Sequence, residues 1–92
     1  MATAMARHIL VKTQAEADNL KQRLAKGAAF DQLAKKFSLC ASAKRGGDLG
    51  EVRPKQMVPA IDQVIFKKPT GVVHGPIKTK FGYHLVHVFY RD

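Results

Sequence analysis

Residues 81–90 read FGYHLVHVFY, a strand-length hydrophobic run that alternates with a period of two. On that period His84, Val86 and Val88 share one face, while Tyr83, Leu85, His87 and Phe89 share the other. The two histidines therefore point opposite ways. Only one of them can meet His8, which opens the apolar run HILVK near the other end of the chain. Residues 6–11, ARHILV, read as a second strand, with Ile9 and Val11 on one face and His8 and Leu10 on the other. VVHGPI, residues 72–77, is a third run. It is separated from YHLVHVFY by KTKFG, a gap short enough for a hairpin-like connection, and Pro76 suits a strand end or edge. A short strand through Leu49 to Val52 completes the set. With so few strands, burial requires helices packed on an antiparallel-leaning sheet, which is an α+β domain.

The helices announce themselves by caps and stripes. Thr13 offers an N-cap, with Glu16 three residues later as a capping box. The helix it starts carries Leu20 and Leu24 at i, i+4 and stops at Gly27, a good residue for a helix end. Phe30, Leu33, Ala34 and Phe37 then recur at i, i+3, i+4, i+7, and Ile61, Val64 and Ile65 do the same within PAIDQVIF, residues 59–66. Both stripes read as core faces. Residues 38–52, SLCASAKRGGDLGEV, are small, polar and glycine-rich. Backbone amides at Gly46-Gly47, behind Lys44 and Arg45, can cradle an anion. The loop nevertheless lacks the Lys-Ser/Thr ending of a nucleotide-binding loop and follows no clear strand.

Composition bounds the rest. Ninety-two residues, without internal repeat or linker, make one domain spanning 1–92. A 46% hydrophobic content suits a compact globule and argues against a disordered chain. The lone Cys40 excludes an internal disulfide framework, and a reducing compartment is the simplest reading. No stretch reaches the ~18 apolar residues that span a bilayer. The start, MATAMARHILVK, has no apolar segment of signal-peptide length, so a cytoplasmic location is expected and no membrane partner. The net charge of +9, from 16 Lys and Arg against 7 Asp and Glu, is spread along the chain. It admits weak, non-specific binding of nucleic acid, anionic lipid or acidic protein. No aromatic or glycine-rich nucleic-acid motif accompanies it, so the charge reads first as solubilising. A monomer is the simplest expectation for a small basic domain.

Three classes of chemistry attach to Cys40. A Cys–His hydrolase needs a thiolate beside an imidazole plus an oxyanion hole; a metal site needs three or four ligands, for which the spacing gives no signature; an idle thiol needs nothing. Two histidines on adjacent strands are less ordinary, because a neutral imidazole pair can pass one N–H to the other in a fixed chain. Met57, Ile61, Phe66 and Phe81 either line an apolar pocket or complete the core, and spacing does not separate the two.

HILVK at 8–12, AKKFSLC at 34–40, SAKRGGDLGEV at 42–52, QMVPAIDQVIF at 56–66 and FGYHLVHV at 81–88 arrive in the order of a parvulin domain. The sequence resembles the parvulin family of peptidyl-prolyl cis/trans isomerases along essentially its whole length, and among them the small stand-alone bacterial form. The resemblance implies an α+β fold with a four-stranded, mostly antiparallel sheet surrounded by four helices. It implies a histidine pair beneath the active site, His8 and His84, with His87 on the other face. Cys40 would stand over the pair, Thr79 of KTKFG would join its hydrogen bonds, and Leu49, Met57, Ile61 and Phe81 would form the pocket for a substrate proline.

The chain departs from the family at named places. Ile61 stands where many parvulins carry phenylalanine, and Val52 is smaller than the aromatic of relatives. Lys12 is followed by TQAEADN, without the arginine pair of phosphate-directed parvulins, and a preceding phosphopeptide-binding WW module is not expected. The expected activity is therefore non-covalent rotation of X-Pro bonds in unfolded or flexible polypeptides, assisting folding, with no phospho-selectivity, no cofactor and no metal. The competing expectations are a basic nucleic-acid-binding module and a non-catalytic chaperone domain on the same fold.

Overall fold

The protein, whose computed structural model is described over residues 3–92, runs through eight elements among those residues. In chain order these are β1 (Ala4–Val11), α1 (Gln14–Ala25), α2 (Phe30–Phe37), a 3-10 helix (Ala41–Arg45), β2 (Asp48–Val52), α3 (Pro59–Lys67), β3 (Val73–Thr79) and β4 (Gly82–Arg91). The sheet order is β2-β1-β4-β3, and every neighbouring pair is antiparallel. β1 and β4, close to the two ends of the chain, are thus the central strands, and both carry apolar residues on both faces.

Two cores follow, one on each side of the sheet. On one side Ala4, Ala6, Val52, Val86 and Val88 pack beneath Ile61, Val64 and Ile65 of α3. On the other, Ile9, Val11 and Leu85 meet Ala17 and Leu20 of α1 and Phe30, Leu33 and Ala34 of α2. The period-two reading of β1 and β4 thus assigns their faces correctly, because each face has its own helical cover.

The sheet is antiparallel throughout rather than mostly so, and three α-helices surround it, not four. The fourth element is the 3-10 helix, which Gly46 ends after five residues by turning left-handed at φ 68°. β1 begins at Ala4, two residues before the run read from sequence, since Ala4 pairs with both Val52 and Arg91. The Thr13 cap forms: its hydroxyl oxygen accepts from Glu16 N–H at 3.2 Å, a contact whose loss costs about 1 kcal/mol. Pro76 lies on the edge strand β3, where the pairing with β4 shifts register between His74 and Ile77. No helix among the described residues is long and apolar enough to cross a membrane.

The glycine pair in the loop before β2 does something other than cradle an anion. Gly46 N–H donates to Ala43 O and Gly47 N–H to Ser42 O, so neither amide is free. Gly47, at φ +85°, sits so close to β1 that a Cβ would fall 2.4 Å from His8 O. Its own carbonyl accepts from His8 N–H at 2.9 Å. Only glycine combines that backbone angle with that approach. The pair clamps the loop onto β1 at His8.

Candidate active site

Beyond Arg7 the outer edge of β1 leaves β2 and is taken up by other chain. His8 N–H goes to Gly47 O, Leu10 N–H to Ser38 Oγ at 3.0 Å, and Leu39 N–H to Leu10 O at 2.8 Å. Ser38 Oγ also accepts from Cys40 N–H at 3.4 Å. This lacing carries Cys40 to the α3 side of the sheet, beside His8 and Leu10.

His84 reaches the same side from β4. It stands opposite Leu10 in the register, and His8 stands opposite Val86, so the two imidazoles are diagonal neighbours. Their rings stack with centroids 5.4 Å apart, and the two Nδ1 atoms lie 3.3 Å apart. On its far side His84 Nε2 is 2.7 Å from Thr79 Oγ1, which also accepts from Phe81 N–H at 3.1 Å. His87, on the opposite face as alternation requires, accepts at Nδ1 from Arg7 Nε at 3.0 Å. It sits between the rings of Phe30 and Phe89, far from this network.

An Nδ1–Nδ1 hydrogen bond needs one nitrogen protonated and the other bare. Two neutral arrangements satisfy the chain. Thr79 O–H can donate to His84, whose Nδ1–H donates to His8, leaving a proton on His8 Nε2. Alternatively His84 Nε2–H donates to Thr79, and His8 Nδ1–H donates to His84, leaving His8 Nε2 bare. Either way His8 Nε2 is buried without a protein partner. His8 and His84 are 3% and 4% exposed. Burial, reinforced by the neighbouring His84, lowers the His8 pKa from 6.5 to about 4, and burial lowers that of His84 as well. The pair is uncharged at neutral pH.

Above the pair opens a cavity of about 220 Å³ lined by His8, Leu10, Cys40, Met57, Val58, Ile61, Phe81 and His84. Six of the eight site residues expected from sequence therefore line one cavity. Thr79 stands behind it, bonded to His84. Leu49 packs instead against the core beneath α3 and is not in the lining. Leu10 and Val58 were not singled out from sequence. Leu10 was readable, since alternation puts it on the face of His8; Val58 carried no signal beyond following Met57. A separate hollow of about 300 Å³, between Ala15, Asn19, Arg23 and Phe37, holds none of the histidines.

The arrangement favours binding over bond-breaking. The lining is almost wholly apolar, and no hydrogen bond joins Cys40 Sγ to the free Nε2 of His8. Among the described residues no three His, Cys, Asp or Glu side chains gather as metal ligands. An apolar ring fits above a neutral polar floor.

Comparison with known proteins agrees. The family model described as "Rotamase: PPIC-type PPIASE domain" matches residues 5–89. The chain is 44% identical over 85 residues to a parvulin-like PPIase of Rickettsia prowazekii, covering 88% of this chain and 30% of that protein. It is 43% identical over 82 residues to the foldase protein PrsA of Caldanaerobacter subterraneus subsp. tengcongensis, covering 88% of this chain and 27% of that one. The chain thus spans less than a third of the length of these curated relatives. Against the solved parvuline of Nitrosopumilus maritimus it gives a TM-score of 0.88 at 37% identity, with 98% of each chain covered. Against PrsA from Bacillus subtilis the TM-score is 0.90 at 38% identity, over 96% of this chain and 35% of that one.

Proposed function

This chain belongs to the parvulin family of PpiC-type peptidyl-prolyl isomerase domains, and we propose that it accelerates cis/trans rotation about X-Pro bonds in unfolded or flexible polypeptides, so assisting their folding. The observation that carries the reading is the apolar cavity set on a neutral histidine pair. Rotation about a peptide bond is opposed by about 18–20 kcal/mol of lost resonance. A thousandfold acceleration requires only about 4 kcal/mol of preferential stabilisation of the twisted amide. No bond breaks, so no nucleophile is needed.

Met57, Ile61 and Phe81 hold the proline ring while the preceding carbonyl swings. The apolar cavity favours the twisted amide, whose charge separation is smaller than that of the planar one. The His8–His84 pair forms the neutral floor of the cavity and holds its shape. Cys40 shapes the local field without attacking. Selectivity for phosphorylated substrates is not part of the proposal, since the segment after β1 carries no arginine pair.

Exchange kinetics on short X-Pro peptides, by NMR or protease coupling, test this directly. Faster exchange with unphosphorylated peptides is expected. No acceleration from a folded sample, shown folded by its dispersed NMR spectrum, would leave only the fold in common with isomerases. Binding of the same peptides without acceleration would mark a holding domain instead.

A further inference from the structure

Two hollows adjoin the cavity, each sharing one lining residue with it, and their charged lining residues differ. One, of about 360 Å³, shares Val58 with the cavity and is bounded by Pro59, Ala60, Lys78, Thr79 and Lys80. The other, of about 420 Å³, shares Met57 and is bounded by Lys55, Pro59 and Asp62. The second holds one charge of each sign, with Asp62 Oδ1 accepting from Lys55 N–H at 2.7 Å. The first holds two lysines and no carboxylate. The ion pair found among the described residues, Arg53 with Glu51, involves neither of them.

Lys80 is held at this rim. Its Nζ lies 5.2 Å from the centre of the Phe81 ring, and that ring is both a wall of the cavity and 57% exposed. The cation–π contact keeps an ammonium beside that wall of the cavity. The hollow's floor, Val58 to Ala60, is also the start of α3, the end at which a helix dipole carries the same positive sign.

We infer that the hollow beside Lys78 and Lys80 is a subsite for a carboxylate side chain flanking the proline, so that the preferred substrates are acidic proline-containing segments. The inference rests on the isomerase reading above. A polypeptide seated by its proline extends from the cavity in two directions. In the lysine-lined direction a glutamate meets two cations, and a lysine meets like charge. In the other direction the charges already balance, so either sign is tolerated there. Because both ammonium groups are exposed, the attraction is modest and screened by salt.

The test is a panel of otherwise identical peptides with Glu, Gln, Lys or phosphoserine on either side of the proline, each assayed for kcat/KM. Glu is expected to exceed Lys by roughly three- to tenfold at low ionic strength on one side of the proline, shrinking below about twofold in ~0.5 M salt. The double variant Lys78→Glu/Lys80→Glu should invert the preference. Lys35→Glu, on the exposed outer face of α2, makes a charge change of the same sign away from the cavity and should leave the preference intact. Equal rates for Glu, Gln and Lys on both sides, or a preference that survives the double variant, would overturn the subsite. So would an equal response to Lys35→Glu, which would assign the effect to net charge. A phosphoserine advantage of more than about thirtyfold over Glu would overturn the carboxylate assignment. Backbone amide shifts of residues 78–81, followed as the same peptides are titrated, read the subsite without turnover. Absence of turnover with all peptides, alongside selective shifts with Glu, would sink the isomerase reading and keep the subsite.

Discussion

His84 is the residue on which the site's geometry converges, because it alone touches both Thr79 and His8. Removing it as His84→Ala strands the Thr79 hydroxyl and His8 Nδ1 and opens space in a wall that is 4% exposed. Unpaired polar groups and a cavity together cost on the order of 2–4 kcal/mol. The expected outcome in urea is a clear fall in the midpoint, with activity lost through unfolding. A variant as stable as the parent yet inactive would instead make the pair part of the chemistry. Cys40 separates from this question. It lies at the N-cap of the 3-10 helix, in extended backbone that aspartate favours as a cap. Cys40→Asp is therefore expected to fold and to keep kcat/KM within about tenfold. A loss of more than a thousandfold in a folded variant would point to a covalent step.

Among the elements, those with a local cause were legible and those with a distant cause were not. Thr13 and Glu16 spell out the start of α1, and the stripe Phe30, Leu33, Ala34 recurs as the buried face of α2. Alternation fixed which side of β4 each histidine takes. Which histidine meets His8 depends on β1 pairing with β4, a contact across some eighty residues that no local pattern encodes; the family resemblance named it, and the register explains it. Leu49 shows the opposite limit: it is apolar and well placed in sequence, yet β2 ends against the core, not the cavity. The role of the glycine pair was hidden for the same reason. Its loop looks like an anion cradle until the backbone of His8 is brought against it. Gly47→Ala sets a Cβ 2.4 Å from His8 O at φ +85°, a strain of about 1–3 kcal/mol before any repacking. Calorimetry should show a melting temperature lower by about 4–8 °C per kcal/mol for a chain of this size. Activity should fall as well, because β1 can relieve the clash only by moving His8. An unchanged melting temperature would mean that the loop, and not β1, gives way.

For the molecule as a whole, pH couples the site to stability. His8 binds its proton with a pKa near 6.5 when unfolded and about 4 when folded, so between those values the unfolded chain holds more protons. Stability from this residue is fully present above about pH 6.5 and drains as pH falls toward 4, with a slope of about 1.4 kcal/mol per unit and a total on the order of 3 kcal/mol. Burial of His84 and His87 lowers their pKa values too, and so acts in the same direction. Against the ~5–15 kcal/mol that holds a typical domain together, a loss of this size is large. Denaturant midpoints should therefore hold level above pH 7 and decline between 6.5 and 5. NMR of the His8 ring should show it neutral throughout that interval. A midpoint that stays flat from pH 7 to 5, or a His8 ring that titrates near 6.5 in the folded protein, would mean that the pair carries charge easily. Its floor position beneath an apolar cavity would then no longer explain a neutral site.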